Sequence, residues 1–302
     1  MEAGHNAVEV ISGLRPGQEV SGVFACSRKD RLFTRSGSPY LALELRDRSG
    51  VIEARAFRDA DILAGRFERG ELVRVAGRVE RFRDRPVVEL VDISRVEPSG
   101  ADPTSFLPVA YRDLDELDGF LEHLAGEVCD RGYRGLLDRL LDDGELRAAW
   151  RRAPCTRAGH HAYLGGLLEH TVAVATLAVD VCQLHPRLNQ DLLLTAAIVH
   201  DLGRAREFVY GAEIGISEEG RLLGHLIIGE RMITERAGRL DDERLLALLH
   251  CLLCHHGSAG APGGRFASIE ALTLYRLNAL DASVKGALEH GLGLEAGSGR
   301  GA

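Results

Sequence analysis

From Gln18 to Glu97, short runs of β-branched and alternating residues follow one another: EVSGVFACSR, PYLALELRD, GVIEARAF, LVRVAGRVERF and PVVELVDISRV. Period-two patterning over such lengths predicts five strands. Turn residues part them at Ser36-Gly37-Ser38-Pro39 and at Arg48-Ser49-Gly50. Between the third and fourth runs, RDADILAGRFERG has helical spacing and ends on Gly70. EPSGADPTSFLP follows with three prolines and little periodicity, and from Asp113 onward the apolar positions recur at helical spacing. That spacing predicts helices over 113–130, 133–143, 145–152, 164–184, 190–202, 221–237, 242–256 and 268–290. Several are punctuated by Pro186, Gly203, Gly257 or a capping Asn189 or Ser268. The tail GLGLEAGSGRGA has no pattern and is expected to be disordered.

Five strands with a helix between the third and fourth is the order of an OB-fold, the small barrel whose open face binds oligonucleotides. By pattern alone, another small β-barrel also fits. The expected fold class is multidomain α+β, a five-stranded OB-fold barrel followed by an all-α domain. Its parts are an N-terminal extension (1–17), the barrel (18–97), a linker (98–112), a helical connector (113–157), a second helical domain (158–290) and the tail (291–302). A chain of 302 residues has room for two such cores.

No apolar stretch is expected to reach the length that spans a bilayer, because Gly, Arg, Glu or His interrupts each candidate. The start, MEAGHNAVEV, lacks the basic and apolar regions of a signal peptide. Six cysteines, at 26, 129, 155, 182, 251 and 254, form no framework pattern. A reduced, cytoplasmic protein without a membrane partner is the expectation, and a homo-oligomer is compatible with it. The net charge of −8 is uneven: residues 18–98 carry 16 basic against 14 acidic side chains, residues 99–302 carry 20 against 29. Nucleic-acid contact must therefore come from local patches. Only Lys29 and Lys285 are lysines, so 35 of the 37 basic residues are arginine.

The helices place polar residues on apolar stripes. His170 shares one with Leu167, Ala173, Val174 and Leu177; His225 with Leu222, Ile228 and Met232; His255 with Leu248, Cys251 and Leu252. Asp281 lies among Leu274, Leu277, Val284 and Leu288. His200 and Asp201 close the apolar run Leu192–Val199. Singly, each reads as a core histidine bonded to a carbonyl, or as a capping or ion-paired aspartate. Together, imidazoles and carboxylates from separate helices are what a hydrolytic centre of divalent cations needs, since burying them without partners is costly.

The order His170, His200-Asp201, Asp281 resembles the HD superfamily of metal-dependent phosphohydrolases, and His225 with His255-His256 resembles its two-metal members. HHAYLGGLLEHTVAV, NQDLLLTAAIVHDLG, EGRLLGHLIIG, CHHG and LNALDA, behind an OB-like barrel, resemble the YhaM-type 3′-5′ exoribonuclease family over roughly residues 18–290. The resemblance implies that His170, His200, Asp201 and Asp281 hold a first metal. Asp201 would bridge to a second held by His225 and His255, with His256 a further ligand or a phosphate contact. It also implies divalent cofactors, two in number, with Mn²⁺ foremost and Mg²⁺, Co²⁺ or Fe²⁺ as alternatives. The implied reaction is phosphodiester hydrolysis by a metal-bridging hydroxide, releasing 5′-mononucleotides from single-stranded RNA or DNA. His160 and His161 either meet substrate phosphate, with His161 protonating the leaving oxygen, or cap the helix bearing His170. Where the family usually has Lys three residues after the Asp, this chain has Arg204, a planar fork in place of a compact charge. A catalytic role for Asp201, Arg204 and His161 is the expectation.

On the barrel, Phe33, Tyr40, Arg55, Phe57, Arg78 and Phe82 are candidates for stacking on bases and tracking phosphates, though the run RVERFRDRP also fits a solvated hairpin. Cys251-x-x-Cys254 lies inside a helical run with no second pair, and reads as core rather than zinc knuckle. His123, His185, His250 and His290 lack the ordered context. Two rival functions fit the same residues: a nucleotide or cyclic-nucleotide phosphohydrolase, and a non-catalytic nucleic-acid or nucleotide binder.

Overall fold

The period-two runs fold as a closed barrel in which β1 (Glu19–Phe33), β2 (Pro39–Asp47), β3 (Gly50–Ala56), β4 (Leu72–Phe82) and β5 (Arg85–Val96) stand in the order β1-β2-β3-β5-β4. The structure is a computed structural model that describes residues 10–97, 101–260 and 262–291. The disorder expected of the tail falls, apart from Gly291, outside the described residues, as does most of the expected N-terminal extension. β1 pairs with β4 to close the cylinder, and β3 meets β5 in parallel. Alternate residues point inward, with Phe24, Leu41, Leu43, Leu45, Val75, Val88 and Ile93 forming the core. The helix between β3 and β4 is short, α1 (Ala60–Ala64).

Part of the expected extension belongs to the barrel. A 3₁₀ turn at Ile11–Gly13 buries Ile11 and Leu14 in its core. The turn is pinned by Asp47, whose Oδ2 accepts from Ile11 N at 2.7 Å while Oδ1 accepts from Ser49 N and Gly50 N. Burying two such side chains contributes about 1.5–3 kcal/mol each.

The helical part runs α2 (Leu114–Gly126), α3 (Arg131–Leu141), α4 (Gly144–Arg152), α5 (Gly166–Leu184), α6 (Gln190–Val199), α7 (Arg204–Glu207), α8 (Glu218–Arg236), α9 (Asp242–Cys254) and α10 (Ile269–His290). A hairpin of β6 (Phe208–Tyr210) and β7 (Ile214–Ile216) separates α7 from α8. Asp113, Asp130, Asp143, Asn189, Ser217, Asp241 and Ser268 cap seven of these helices by accepting from backbone N–H groups. Helices α2–α4, expected as a connector, share one core with α5, α6, α8, α9 and α10. Among the described residues, residues 10–108 with 210–215 form one unit, and 109–209 with 216–291 form the other.

One expectation is corrected. α5 is long and apolar enough, by length and composition, to cross a membrane. It packs instead against α2, α4, α6 and α10 as the core helix of its unit, with His170 and Glu169 buried along it.

Candidate metal centre and nucleic-acid face

Asp201 follows the last turn of α6 and lies almost fully buried in a ring of imidazoles. Its Oδ1 faces His255 Nε2 at 3.2 Å and His225 Nε2 at 3.4 Å. Its Oδ2 lies 3.8 Å from both His170 Nε2 and His200 Nε2. His225 and His256 approach through their Nε2 atoms at 2.9 Å, and His170 and His200 through theirs at 3.1 Å. The seven expected ligands thus come from α5, the α6 terminus, α8, the end of α9 and α10 to one locality.

The hydrogen bonds assign the ring protons. His200 Nδ1–H donates to Ala197 O at 2.8 Å and His255 Nδ1–H to Leu252 O at 2.7 Å. His170 Nδ1–H donates to Asp281 Oδ2 at 2.6 Å. Rings so anchored turn their Nε2 atoms toward one another and toward a carboxylate. Asp201 Oδ1 and His255 Nε2 are buried with no hydrogen-bond partner. Opposed acceptors in a low-dielectric interior are unfavourable unless a cation lies between them, so the donor set fits divalent metal. Burial pushes His200 well below the ordinary imidazole value. Burial alone would raise the Asp201 carboxyl, but the charged Arg204 guanidinium beside it holds it well below the usual range.

Asp281, expected among the ligands of the first metal, accepts from His170 and lies 3.0 Å from His161 Nε2. A carboxylate behind a ligating imidazole fixes its tautomer and orientation. The apolar stripe expected around Asp281 is only half present, because Val284 is exposed and Leu288 is 78% exposed. His161 sits at φ +50°, a left-handed conformation uncommon for a side-chain-bearing residue. Its Nδ1 meets Tyr163 Oη at 3.0 Å, and Tyr163 donates to Glu169, which also accepts from Lys285. Burial pushes the neighbouring His160 down to about 3.

Two glycines shape the centre. A Cβ on Gly203 would stand 2.0 Å from His225 O and 2.6 Å from Gly229 N, so only glycine lets the turn after Asp201 touch α8. Gly224, at φ 67° and ψ 161°, breaks α8 just before His225. The stripe expected to join His225 to Leu222 is therefore corrected: the break turns Leu222 outward to 63% exposure while His225 points to Asp201.

Sequence reasoning missed several contributors. Glu207 lies 3.1 Å from Arg204 Nη1 and 3.5 Å from His225 Nδ1. Its spacing from Arg204, one helical turn, was the available signal. Cys155, fully buried, donates to Asp201 Oδ2 at 3.5 Å. Arg204 itself is enclosed, with Nε 2.8 Å from Asp201 Oδ2. Cys251 and Cys254 are buried in the helical core.

On the barrel, register places Tyr40, Arg55, Phe57, Arg78 and Phe82 on the outward side of the β2-β3-β5-β4 strip. Tyr40 stacks on Phe57 with centroids 5.3 Å apart, and the Arg55 guanidinium lies 4.0 Å over the Phe82 ring. Glu53, Arg55, Phe82, Arg83, Arg85 and Val87 line a pocket of about 350 Å³. Phe33 does not join them. A bulge between Cys26 and Arg28 shifts the β1 register, so Phe33 pairs with Pro39 on the other side of the strand.

A barrel of this topology followed by a helical His/Asp centre defines an HD-domain protein with an N-terminal OB-fold. The HD domain family matches residues 167–283, and the OB-fold nucleic acid binding domain family matches residues 23–95. The chain is similar along most of its length to curated 3′-5′ exoribonucleases named YhaM. The 3′-5′ exoribonuclease YhaM of Listeria welshimeri serovar 6b is 29% identical over 258 residues, 82% of this chain and 80% of its own. That of Bacillus subtilis is 29% identical over 273 residues, 89% of this chain and 86% of its own. The second OB-fold domain of replication protein A from Methanococcus maripaludis aligns at 18% identity with 30% of this chain and 96% of its own, with a TM-score of 0.25.

Proposed function

We propose that this chain is a metal-dependent 3′-5′ exonuclease of single-stranded RNA, with single-stranded DNA as a second substrate, releasing 5′-mononucleotides. The observation that carries this reading is the buried carboxylate of Asp201 facing imidazole lone pairs with no donor between them. The YhaM relatives and the aromatic and arginine strip on the barrel support the choice of a polymeric substrate.

Two divalent cations fit the donors: one beside His170, His200 and Asp201, the other beside Asp201, His225, His255 and His256. The Asp201 carboxylate of the second position suits Mn²⁺, and its three imidazoles suit Fe²⁺ as well. When bound, the cations supply Lewis acidity and a nucleophilic water at neutral pH. The chain's own residues do the rest. Asp281 and the Ala197 and Leu252 carbonyls hold three imidazoles in their ligating tautomers. Arg204, 2.8 Å from Asp201, stabilises developing charge, and His161, 3.0 Å from Asp281, is assigned delivery of a proton to the leaving oxygen. A reduced, cytoplasmic setting is supported by six cysteines with no disulfide among them.

The test is a product ladder. With Mn²⁺, a 5′-labelled single-stranded RNA should shorten one nucleotide at a time, and a chelator should stop it. Hydrolysis of free nucleotides at rates above those on the oligonucleotide would overturn the reading. A second measurement addresses the barrel: Phe82→Ala should weaken binding of single-stranded RNA on the order of 10-fold, as expected for losing one stacking platform. Hydrolysis of a bis-nitrophenyl phosphodiester by the same variant should be unchanged.

A further inference from the structure

We infer that Cys155 is a thiolate ligand of the cation held by His170, His200 and Asp201, giving the two metal positions different chemical character. The inference rests on the metal centre proposed above. Cys155 is fully buried on the segment that follows α4, and its Sγ lies 3.5 Å from Asp201 Oδ2. Ligating atoms of Cys155, His170 and Asp201 all lie within 4.8 Å of one another. Donors bound to one cation at about 2.0–2.3 Å stand about 3–4 Å apart. The separations here, 3.1 Å between His170 and His200, 3.8 Å from each to Asp201 and 3.5 Å from Asp201 to sulfur, fall in that range.

A second observation points to a ligand at the same place. His200 is buried, its Nδ1–H is given to Ala197 O, and its Nε2 faces two further acceptors, His170 Nε2 at 3.1 Å and Asp201 Oδ2 at 3.8 Å. Those two facing groups, His170 and Asp201, are the ones whose ligating atoms lie within 4.8 Å of the Cys155 sulfur.

Without metal the thiol keeps its proton and donates it to Asp201. Burial first, and the Asp201 charge next, push that thiol well above its ordinary value, so a bare thiolate is not formed there. A cation held there would take the place of the Cys155 thiol proton, which would pass to solvent with no change of oxidation state. The Arg204 guanidinium, 2.8 Å from Asp201, offsets part of the added negative charge.

The consequence is selection. A sulfur donor favours borderline and soft cations such as Co²⁺, Zn²⁺ and Fe²⁺ over Mg²⁺ and Mn²⁺. The position of His225, His255 and His256 offers nitrogen and oxygen alone. The first position is thereby set to retain a thiophilic metal while the second exchanges with the metals of the medium.

The test loads chelator-treated full-length protein with Co²⁺ and reads cobalt content and absorbance. The native protein should show visible ligand-field bands together with an intense near-ultraviolet thiolate-to-cobalt charge-transfer band. Cys155→Ala should still bind cobalt and show visible bands but lose the charge-transfer band, with Co²⁺ affinity falling about 10-fold or more. Its Mn²⁺ affinity should change far less. Cys155→Ser, closer in size, should behave in the same way and guards against a packing defect. Cobalt-loaded native protein with visible bands and no charge-transfer band would overturn the inference, as would a band that survives in Cys155→Ala. Failure of both proteins to bind cobalt overturns the metal centre itself, and the ligand assignment with it.

Discussion

Asp201→Asn is expected to abolish exonuclease activity and most metal binding while leaving the fold intact or slightly steadier. The reasoning starts from the unpartnered oxygen. Asp201 Oδ1 faces His255 Nε2 at 3.2 Å, and neither atom has a hydrogen-bond partner. An asparagine keeps the shape, turns its carbonyl toward Arg204 and offers N–H to His255. It satisfies the site with a hydrogen bond and removes the anion that joins the two cation positions. Losing that charge should cost several kcal/mol of transition-state stabilisation, on the order of 10³-fold or more in rate. Two readouts separate this from a folding defect. Native protein should gain thermal stability with added Mn²⁺, by about 2.7 kcal/mol at a hundredfold excess over Kd, and the variant should gain almost nothing. Unchanged metal content in Asp201→Asn would falsify the proposed centre.

How much of this was legible in the sequence follows from which physical signals are local. The five strands were visible because β2 and β4 alternate cleanly enough for one face to be buried, and their limits were read to the residue. Helix starts were visible wherever Asn189 or Ser268 stood before an apolar run. The candidate metal centre was visible because polar side chains on core helices must interrupt apolar stripes, as His170 and His255 do. What failed has equally specific causes. A one-residue bulge at Cys26–Arg28 reverses the facing of everything after it, and nothing in SRKDRLF announces that reversal, so Phe33 was grouped with Tyr40. A single Gly224 is tolerated in many helices, and nothing local in EGRLLGHLIIG announces its positive φ. The hairpin of β6 and β7 consists of two three-residue strands, too short for any period to register. Cys155 carries no helical spacing relative to the His/Asp cluster, and only the fold brings it to Asp201.

Arg204→Ala is expected to separate catalysis, stability and metal affinity, which a simple loss of structure would lower together. The guanidinium is nearly buried, with Nε 2.8 Å from Asp201 and Nη1 3.1 Å from Glu207. Burial opposes its charge, and the Asp201 carboxylate outweighs burial and raises its pKa further. Removing it leaves two buried carboxylates without their cation, a change that costs about 3–5 kcal/mol when a buried pair is broken from one side. That loss should be seen in the metal-free protein as a lowered Tm. Divalent metal supplies positive charge to the same carboxylate, so the deficit should shrink when Mn²⁺ is added. Metal affinity should hold or rise, since guanidinium cannot ligate a cation and its charge competes for Asp201. Turnover should still fall about 10²-fold, the scale of losing one preorganised donor at a developing charge. Arg204→Lys sharpens the reading. A lysine delivers one compact charge and cannot serve Asp201 and Glu207 with a planar fork, so stability should be only partly restored. If the role in turnover is that of a simple cation, this variant should recover most of the rate. A chain that uses arginine at 35 of 37 basic positions then carries it here by general substitution. Near-native turnover in Arg204→Ala would instead confine the residue to holding Asp201 and Glu207 together, with no part in the chemistry.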